Sequence, residues 1–112
     1  MDSLEESKKE NGCLWVLPSK KEHLLKERYI RIKGQTFVEK VNDVFWDNED
    51  FIPIEMEVGD ALLFDGLLPH KSFKNMSGKS RMAYVIHFKD QQSHYSKENW
   101  NYSNFLLSSV IV

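Results

Sequence analysis

The sequence predicts a mostly β domain built from several short strands, a sandwich or small barrel, and three observations point there. Apolar residues alternate with others along Ile52 to Val58 and again along Arg81 to Phe88, the two-residue period of a strand. Cys13 to Leu17 is a short apolar run closed off by Asn11-Gly12 and Pro18, as expected of a buried strand between turns. No amphipathic stretch is long enough to form a helix that would cover a sheet. At 112 residues the chain has the length of one domain, which rules out a two-domain enzyme with its own cofactor domain.

In chain order, residues 1–10 form a polar segment (Asp2, Glu5, Glu6, Lys8, Lys9, Glu10) without the apolar centre of a signal peptide. After the strand at Cys13 to Leu17, charge dominates Pro18 to Gly34, which reads as an exposed connection with a helical turn at Glu22 to Tyr29. Gln35 to Val41 reads as a short strand and the acidic Asn42 to Asp50 as a loop. Pro53 predicts that the Ile52 to Val58 strand starts late or lies at a sheet edge. Gly59-Asp60 turns the chain into Ala61 to Phe64, and Gly66 and Pro69 break that run before His70. Ser72, Asn75, Ser77 and Gly78 make Lys71 to Ser80 turn-rich.

The strand from Arg81 has two unlike faces. Met82, Tyr84, Ile86 and Phe88 form a large apolar face that needs a cover, while Arg81, Ala83, Val85 and His87 form one that could border a cavity. The polar segment from Asp90 ends in an apolar stretch, Leu106 to Val112, whose pattern assigns no structure.

Fifteen Lys plus Arg against seventeen Asp plus Glu leave a net charge of -2, so neither nucleic acid nor an anionic membrane is an expected partner. No window reaches the ~18 apolar residues of a membrane span. The single cysteine, Cys13, forms no internal disulfide, and no Cys/His cluster has zinc spacing. These features predict a soluble, intracellular, cytoplasmic protein. Cys13, Trp15 and Trp100 read as packing residues, and His23, His87 and His94 as structural or surface histidines, with His87 a candidate for the cavity wall. The basic stretch from Lys20 to Lys33 reads as solvated surface; the alternative is a face toward an acidic substrate such as a coenzyme A ester.

His70 and Arg81 are the candidates for chemistry. On neighbouring antiparallel strands they would reach one cavity, an imidazole able to bind metal and a guanidinium able to grip a carboxylate by two parallel hydrogen bonds. The structural alternative is a histidine that satisfies a turn and an arginine that is a solvated strand-end charge.

A set of motifs bears on that choice. Gly59-Asp60-Ala61-Leu62-Leu63-Phe64, then Leu68-Pro69-His70-Lys71-Ser72, Asn75, Ser77, Arg81, Ala83 and His87-Phe88 resemble the C-terminal motif of the phytanoyl-CoA dioxygenase family. Asn11-Gly12-Cys13-Leu14-Trp15-Val16-Leu17-Pro18 resembles that family's Asn-Gly-Cys-Leu-Trp strand, and Ser96-Lys97-Glu98-Asn99-Trp100 resembles the end of one of its branches. The anchors fall in order over about four-fifths of the chain. The resemblance implies a partial double-stranded β-helix (a cupin-like jelly roll) over residues 11–102, the C-terminal half of the barrel, followed by a tail at 103–112. It implies Fe(II) and 2-oxoglutarate as cofactors and hydroxylation of a small organic substrate. In that scheme His70 corresponds to the distal iron histidine, Arg81 to the arginine that pairs with the far carboxylate of 2-oxoglutarate, and Ser72 to a hydrogen-bond donor to the same carboxylate. Neutral imidazole suits iron, and a planar guanidinium suits a carboxylate better than lysine would.

The chain also departs from the family pattern. Iron of this kind is held by two histidines and a carboxylate, and the family takes the first two ligands from a His-x-Asp motif ahead of the Asn-Gly-Cys-Leu-Trp strand. Here the residues two after His23, His70, His87 and His94 are Leu25, Ser72, Lys89 and Ser96. After Pro18, where the family continues Gly-Ser-His, this chain has Ser19-Lys20-Lys21-Glu22-His23. The expectation is therefore a catalytically incomplete half domain, arising as a fragment, a short isoform or a partial gene model. The alternatives are a non-enzymatic module that self-associates or pairs with another chain through its exposed sheet, and a small cupin-like metal binder that recruits His23 or His87 beside His70.

Overall fold

A computed structural model describes residues 1–18, 25–43, 45–88, 90, 92, 94 and 97–98, together with the backbone of 107–111. Among the described residues nearly all the regular structure is β: eight short strands and two single turns of 3-10 helix, at Lys9–Asn11 and Asn48–Asp50. The chain divides into two compact units, one comprising Met1–His23, Trp46–Ile86 and Ser109–Val112, the other Leu24–Phe45 and His87–Ser108.

In the first unit, β1 (Asp2–Ser3) pairs antiparallel with β7 (Ala83–Phe88), and β8 (Leu107–Ile111) is the third strand, in the order β1-β7-β8. β1 is also bonded on its other side. Ser3 N–H donates to Asp60 O (2.9 Å), Gly59 N–H to Ser3 O (2.8 Å) and Leu62 N–H to Met1 O (2.8 Å), and Ser7 and Met56 exchange both backbone bonds. Thus the polar segment at 1–10 lies between residues 56–62 and β7. It supplies two of the buried polar side chains, Ser3 and Ser7.

The second sheet has the order β5-β2-β6, with β2 (Leu14–Val16) between β5 (Ile52–Ile54) and β6 (His70–Ser72). Pro53 lies on an edge strand, where its missing N–H costs no ladder bond. The alternation from Ile52 to Val58 does not give one continuous strand: after Ile54 the chain leaves β2, and Met56 pairs instead with Ser7. The apolar run Ala61 to Phe64 contributes a single bridge, at Ala61 to Asp2, and no strand. Cys13, Val16, Leu17, Phe51, Met56 and Ala83 are the buried apolar residues.

In the second unit, β3 (Glu27–Ile32) and β4 (Gln35–Lys40) form a hairpin. β4 answers the strand expected there, but β3 overturns the helical turn expected to run through Tyr29. The cause is the Lys33-Gly34 connection. Both residues have positive φ, 49° and 82°, and two such residues make the type I′ turn whose twist matches a hairpin. The charges that suggested a solvated connection lie along this ribbon, with Arg28 paired to Glu39 across the ladder.

Along β7, Ala83 is buried while Tyr84 and Ile86 are half-buried; Met82 and Phe88, expected to need a cover, are 44% and 67% exposed. Among the described residues no helix is long and apolar enough to cross a membrane.

Candidate functional site

The site is organised by the Asn11-Gly12-Cys13-Leu14-Trp15 motif, each member of which has a separate structural task. Asn11 is buried: its Oδ1 accepts from Lys8 N–H (2.6 Å), and its Nδ2 donates to Glu6 O (2.8 Å) and, at longer reach, to Ser80 O (3.4 Å). Gly12 closes the 3-10 turn at φ +88°, and a Cβ there would lie 2.9 Å from the Phe73 carbonyl oxygen. Only glycine satisfies both demands. Cys13 is fully buried and Leu14 opens β2.

β2 then fixes the position of β6. The register pairs Val16 with His70 and Ile52, and Leu14 with Ser72 and Ile54. Directly paired residues project to the same side of an antiparallel sheet, so His70 and Ser72 share one face with Leu14, Val16, Ile52 and Ile54. The opposite face carries Trp15, Pro53 and Lys71. There the Lys71 ammonium lies 4.2 Å from the Phe51 ring centre and 5.2 Å from that of Phe73, which meets Trp15 edge-to-face at 5.3 Å.

The His70 ring is exposed and oriented. Its Nδ1 lies 2.8 Å from Leu68 O. A carbonyl only accepts, so Nδ1 carries the hydrogen of this bond, and in the neutral imidazole Nε2 is the nitrogen with the lone pair. Phe64 meets the imidazole at 5.2 Å between ring centres, tilted by 61°.

Arg81 does not lie on a strand neighbouring His70, as the cavity argument required. It lies two residues before β7, whose partners are β1 and β8, whereas β6 pairs with β2. Its surroundings are nonetheless well defined. The Glu5 carboxylate spans it, with Oε1 accepting from the Ser80 hydroxyl (2.9 Å) and Oε2 from Met82 N–H (2.8 Å). Leu4 and Glu5 N–H both donate to Met82 O, at 3.0 and 3.2 Å. Arg81 as a residue is half-buried, and among the described residues no carboxylate pairs with it. Its charge reaches Cys13. Burial pushes that thiol up from its ordinary range, the Glu55 charge adds to the rise, and Arg81 pulls the other way.

Of the other residues singled out from the sequence, Cys13 is in the core, Trp15 packs on Phe73, and His87 and His94 are exposed. His23 and Trp100 lie outside the described residues, as do most of Ser96 to Trp100. In the basic stretch, Arg28 is paired with Glu39 and the Lys26 ammonium lies 5.4 Å from the Phe45 ring centre. Among the described residues no group of three or more His, Cys, Asp or Glu side chains converges as a metal site. Sequence reasoning missed Glu5, whose role depends on a pairing with residues more than seventy positions away; no local pattern marks it.

Comparison with known proteins places these features in a lineage. Residues 3–83 match the family model of phytanoyl-CoA dioxygenase. Among curated relatives, the chain is 37% identical over 99 residues to phytanoyl-CoA dioxygenase 1 of Oryza sativa subsp. japonica, which covers 88% of this chain and 35% of that protein. It is 38% identical over 100 residues to phytanoyl-CoA dioxygenase of Arabidopsis thaliana, with the same two coverages. It is 35% identical over 104 residues to the phytanoyl-CoA dioxygenase domain-containing protein 1 homolog of Dictyostelium discoideum, covering 88% of this chain and 37% of that protein. The chain therefore spans little more than a third of the length of these relatives. No solved structure matches significantly.

Proposed function

Since the chain belongs to the phytanoyl-CoA dioxygenase family, we propose that it carries part of an Fe(II)- and 2-oxoglutarate-dependent oxygenase site, with His70 as an iron ligand and Arg81 and Ser72 as the seat of the far carboxylate of 2-oxoglutarate. One observation carries the reading: the His70 imidazole is committed through Nδ1 to the Leu68 carbonyl and offers Nε2 as an electron-pair donor. Metal-bound histidines are characteristically oriented by such a bond, which fixes the tautomer and raises ligand basicity.

The spacing supports it. Two residues along a strand advance about 7 Å, so Ser72 lies beyond His70 on the same face. A keto acid held at the His70 end would extend its far carboxylate toward Ser72 and Arg81. The guanidinium can receive that carboxylate through two parallel N–H···O bonds, and the serine hydroxyl can add a third. Iron with bound keto acid supplies the oxygen activation that hydroxylates a C–H bond of a small organic substrate. The chain's own residues bind and orient. His70 gives one ligand of the facial triad, and the sequence contains no His-x-Asp pair, so the chain alone is expected to be catalytically silent until another polypeptide segment supplies that pair.

A second reading, a non-enzymatic module that pairs through its sheet, is favoured by the apolar character of the His70 face, where Ile52 is 46% exposed. Anaerobic calorimetric titration with Fe(II) and 2-oxoglutarate decides between the two. Weak metal binding that His70→Ala removes, together with 2-oxoglutarate binding weakened about tenfold or more by Arg81→Ala and not restored by Arg81→Lys, is expected. Binding indifferent to both substitutions would refute the oxygenase assignment; no binding at all, with a dimer in sedimentation, would favour the pairing module.

A further inference from the structure

We propose that Glu5 is the positioning residue for Arg81, holding the guanidinium where it can receive a dicarboxylate. The inference rests on the assignment of Arg81 given above and extends it to a residue that contacts neither the cofactor nor the metal.

Three features of the geometry lead to it. The first is bracketing: the two oxygens of one carboxylate accept from residues on either side of Arg81, the Ser80 hydroxyl at 2.9 Å and Met82 N–H at 2.8 Å. The second is that the Glu5 backbone also binds there, donating to Met82 O at 3.2 Å beside Leu4 N–H at 3.0 Å, so that Met82 is tied through both its N–H and its carbonyl. Asn11 Nδ2 reaches Ser80 O at 3.4 Å and gives Ser80 a further tie to the same N-terminal segment. The third is the pattern of donors. An ionised carboxylate only accepts, and here both its oxygens are occupied by neutral donors. Glu5 therefore supplies a negative charge close to Arg81 while no ion pair between the two forms among the described residues, and the guanidinium fork is left for an external carboxylate.

The chemistry explains why glutamate suits this place. Glutamine would keep Met82 N–H on its amide oxygen and could turn its NH2 to the Ser80 oxygen, which also accepts, so it removes the charge without removing the ties, whereas alanine removes both ties with the charge. The flanks of Arg81 would loosen while the rest of the β1 to β7 ladder, which uses backbone groups, stayed in place.

The test uses the full chain labelled with 15N and titrated with 2-oxoglutarate, following the Arg81 Nε–H signal by NMR. In the wild type the signal is expected to shift on titration, and Arg81→Ala removes the binding seen by calorimetry. Glu5→Ala is expected to raise the dissociation constant about tenfold, to speed hydrogen exchange at the Met82 amide by a similar factor, and to make the Arg81 side chain more mobile. Exchange along β2 and β6 should stay unchanged, as a general loss of structure would not allow. Ser80→Ala, which removes one partner of the same carboxylate and leaves the charge, is expected to weaken binding about threefold and serves if Glu5→Ala does not fold. Binding that needs Arg81 yet is the same in Glu5→Ala and Ser80→Ala overturns the positioning role alone. A wild type whose Arg81 signal ignores 2-oxoglutarate overturns the assignment of Arg81, and the positioning role with it.

Discussion

Replacing Gly12 with alanine tests the link between the motif and the site most directly, because the structure contains its own control. Gly12 and Gly59 have nearly the same backbone, φ +88° and +90°, and lie in the same unit. A Cβ at Gly59 would meet nothing within 4 Å, whereas at Gly12 it would sit 2.9 Å from the Phe73 carbonyl oxygen. Placing an L-residue in this backbone region costs about 1–2 kcal/mol, and both variants bear that cost. Gly12→Ala adds the forced contact, about 1–3 kcal/mol in a packed setting, for a total of about 2–5 kcal/mol. With a urea slope of about 1.5 kcal/mol per M, the extra cost lowers the unfolding midpoint of Gly12→Ala below that of Gly59→Ala by about 0.7–2 M. The contact partner is backbone just past β6, so relief would require moving the end of the strand that carries His70 and Ser72. Equal midpoints for the two variants would refute the close-approach explanation.

Two further outcomes are expected. Lys33 holds φ +49° in the hairpin turn, so Lys33→Asn, which tolerates that region, should strengthen the hairpin by about 0.5–1 kcal/mol, read as slower amide exchange along β3 and β4; unchanged exchange would contradict the turn assignment. Burial raises the Cys13 thiol above its ordinary value of 9.0, and the hydrogen bond to Glu57 raises the Lys8 ammonium above 10.5. Both shifts have the same sign: the stabilisation is complete below the ordinary value and falls away as pH rises through the folded one. Stability should therefore decline from about pH 9 upward, with Cys13→Ala flattening the first part of that decline in pH-dependent urea titrations; an alkaline limb identical to wild type would rule Cys13 out as its source.

The legible parts of the fold were those whose identity is local. β2 was visible because an apolar run sits between Asn11-Gly12 and Pro18, β7 because its alternation is long, and the edge position of β5 because Pro53 cannot donate. β1 was hidden, since Asp2 and Ser3 are a strand only by virtue of what they lie between. β3 was masked by its charges, although Gly34 was a usable turn signal. His70 and Arg81 were identifiable as chemical types and by resemblance. Their separation into different sheets was not, because which strand pairs with which is decided by contacts far apart in sequence. Glu5 shows this most plainly, with partners 75 and 77 residues away.

That separation has a kinetic consequence. Residues 1–7 are made some eighty residues ahead of their partner strand, so β1 has nothing to pair with on one side until residues 83–84 have been made. Closing a loop of this length is entropically costly and slow compared with forming the Lys33-Gly34 hairpin. The hairpin can form while the chain is still growing, whereas β1 must wait with its backbone groups unmatched. The setting of Arg81 is thus among the last features to be completed and the first to be lost when the sheet opens, so any capacity to hold a carboxylate there would report on the fully folded chain rather than on a partly assembled one.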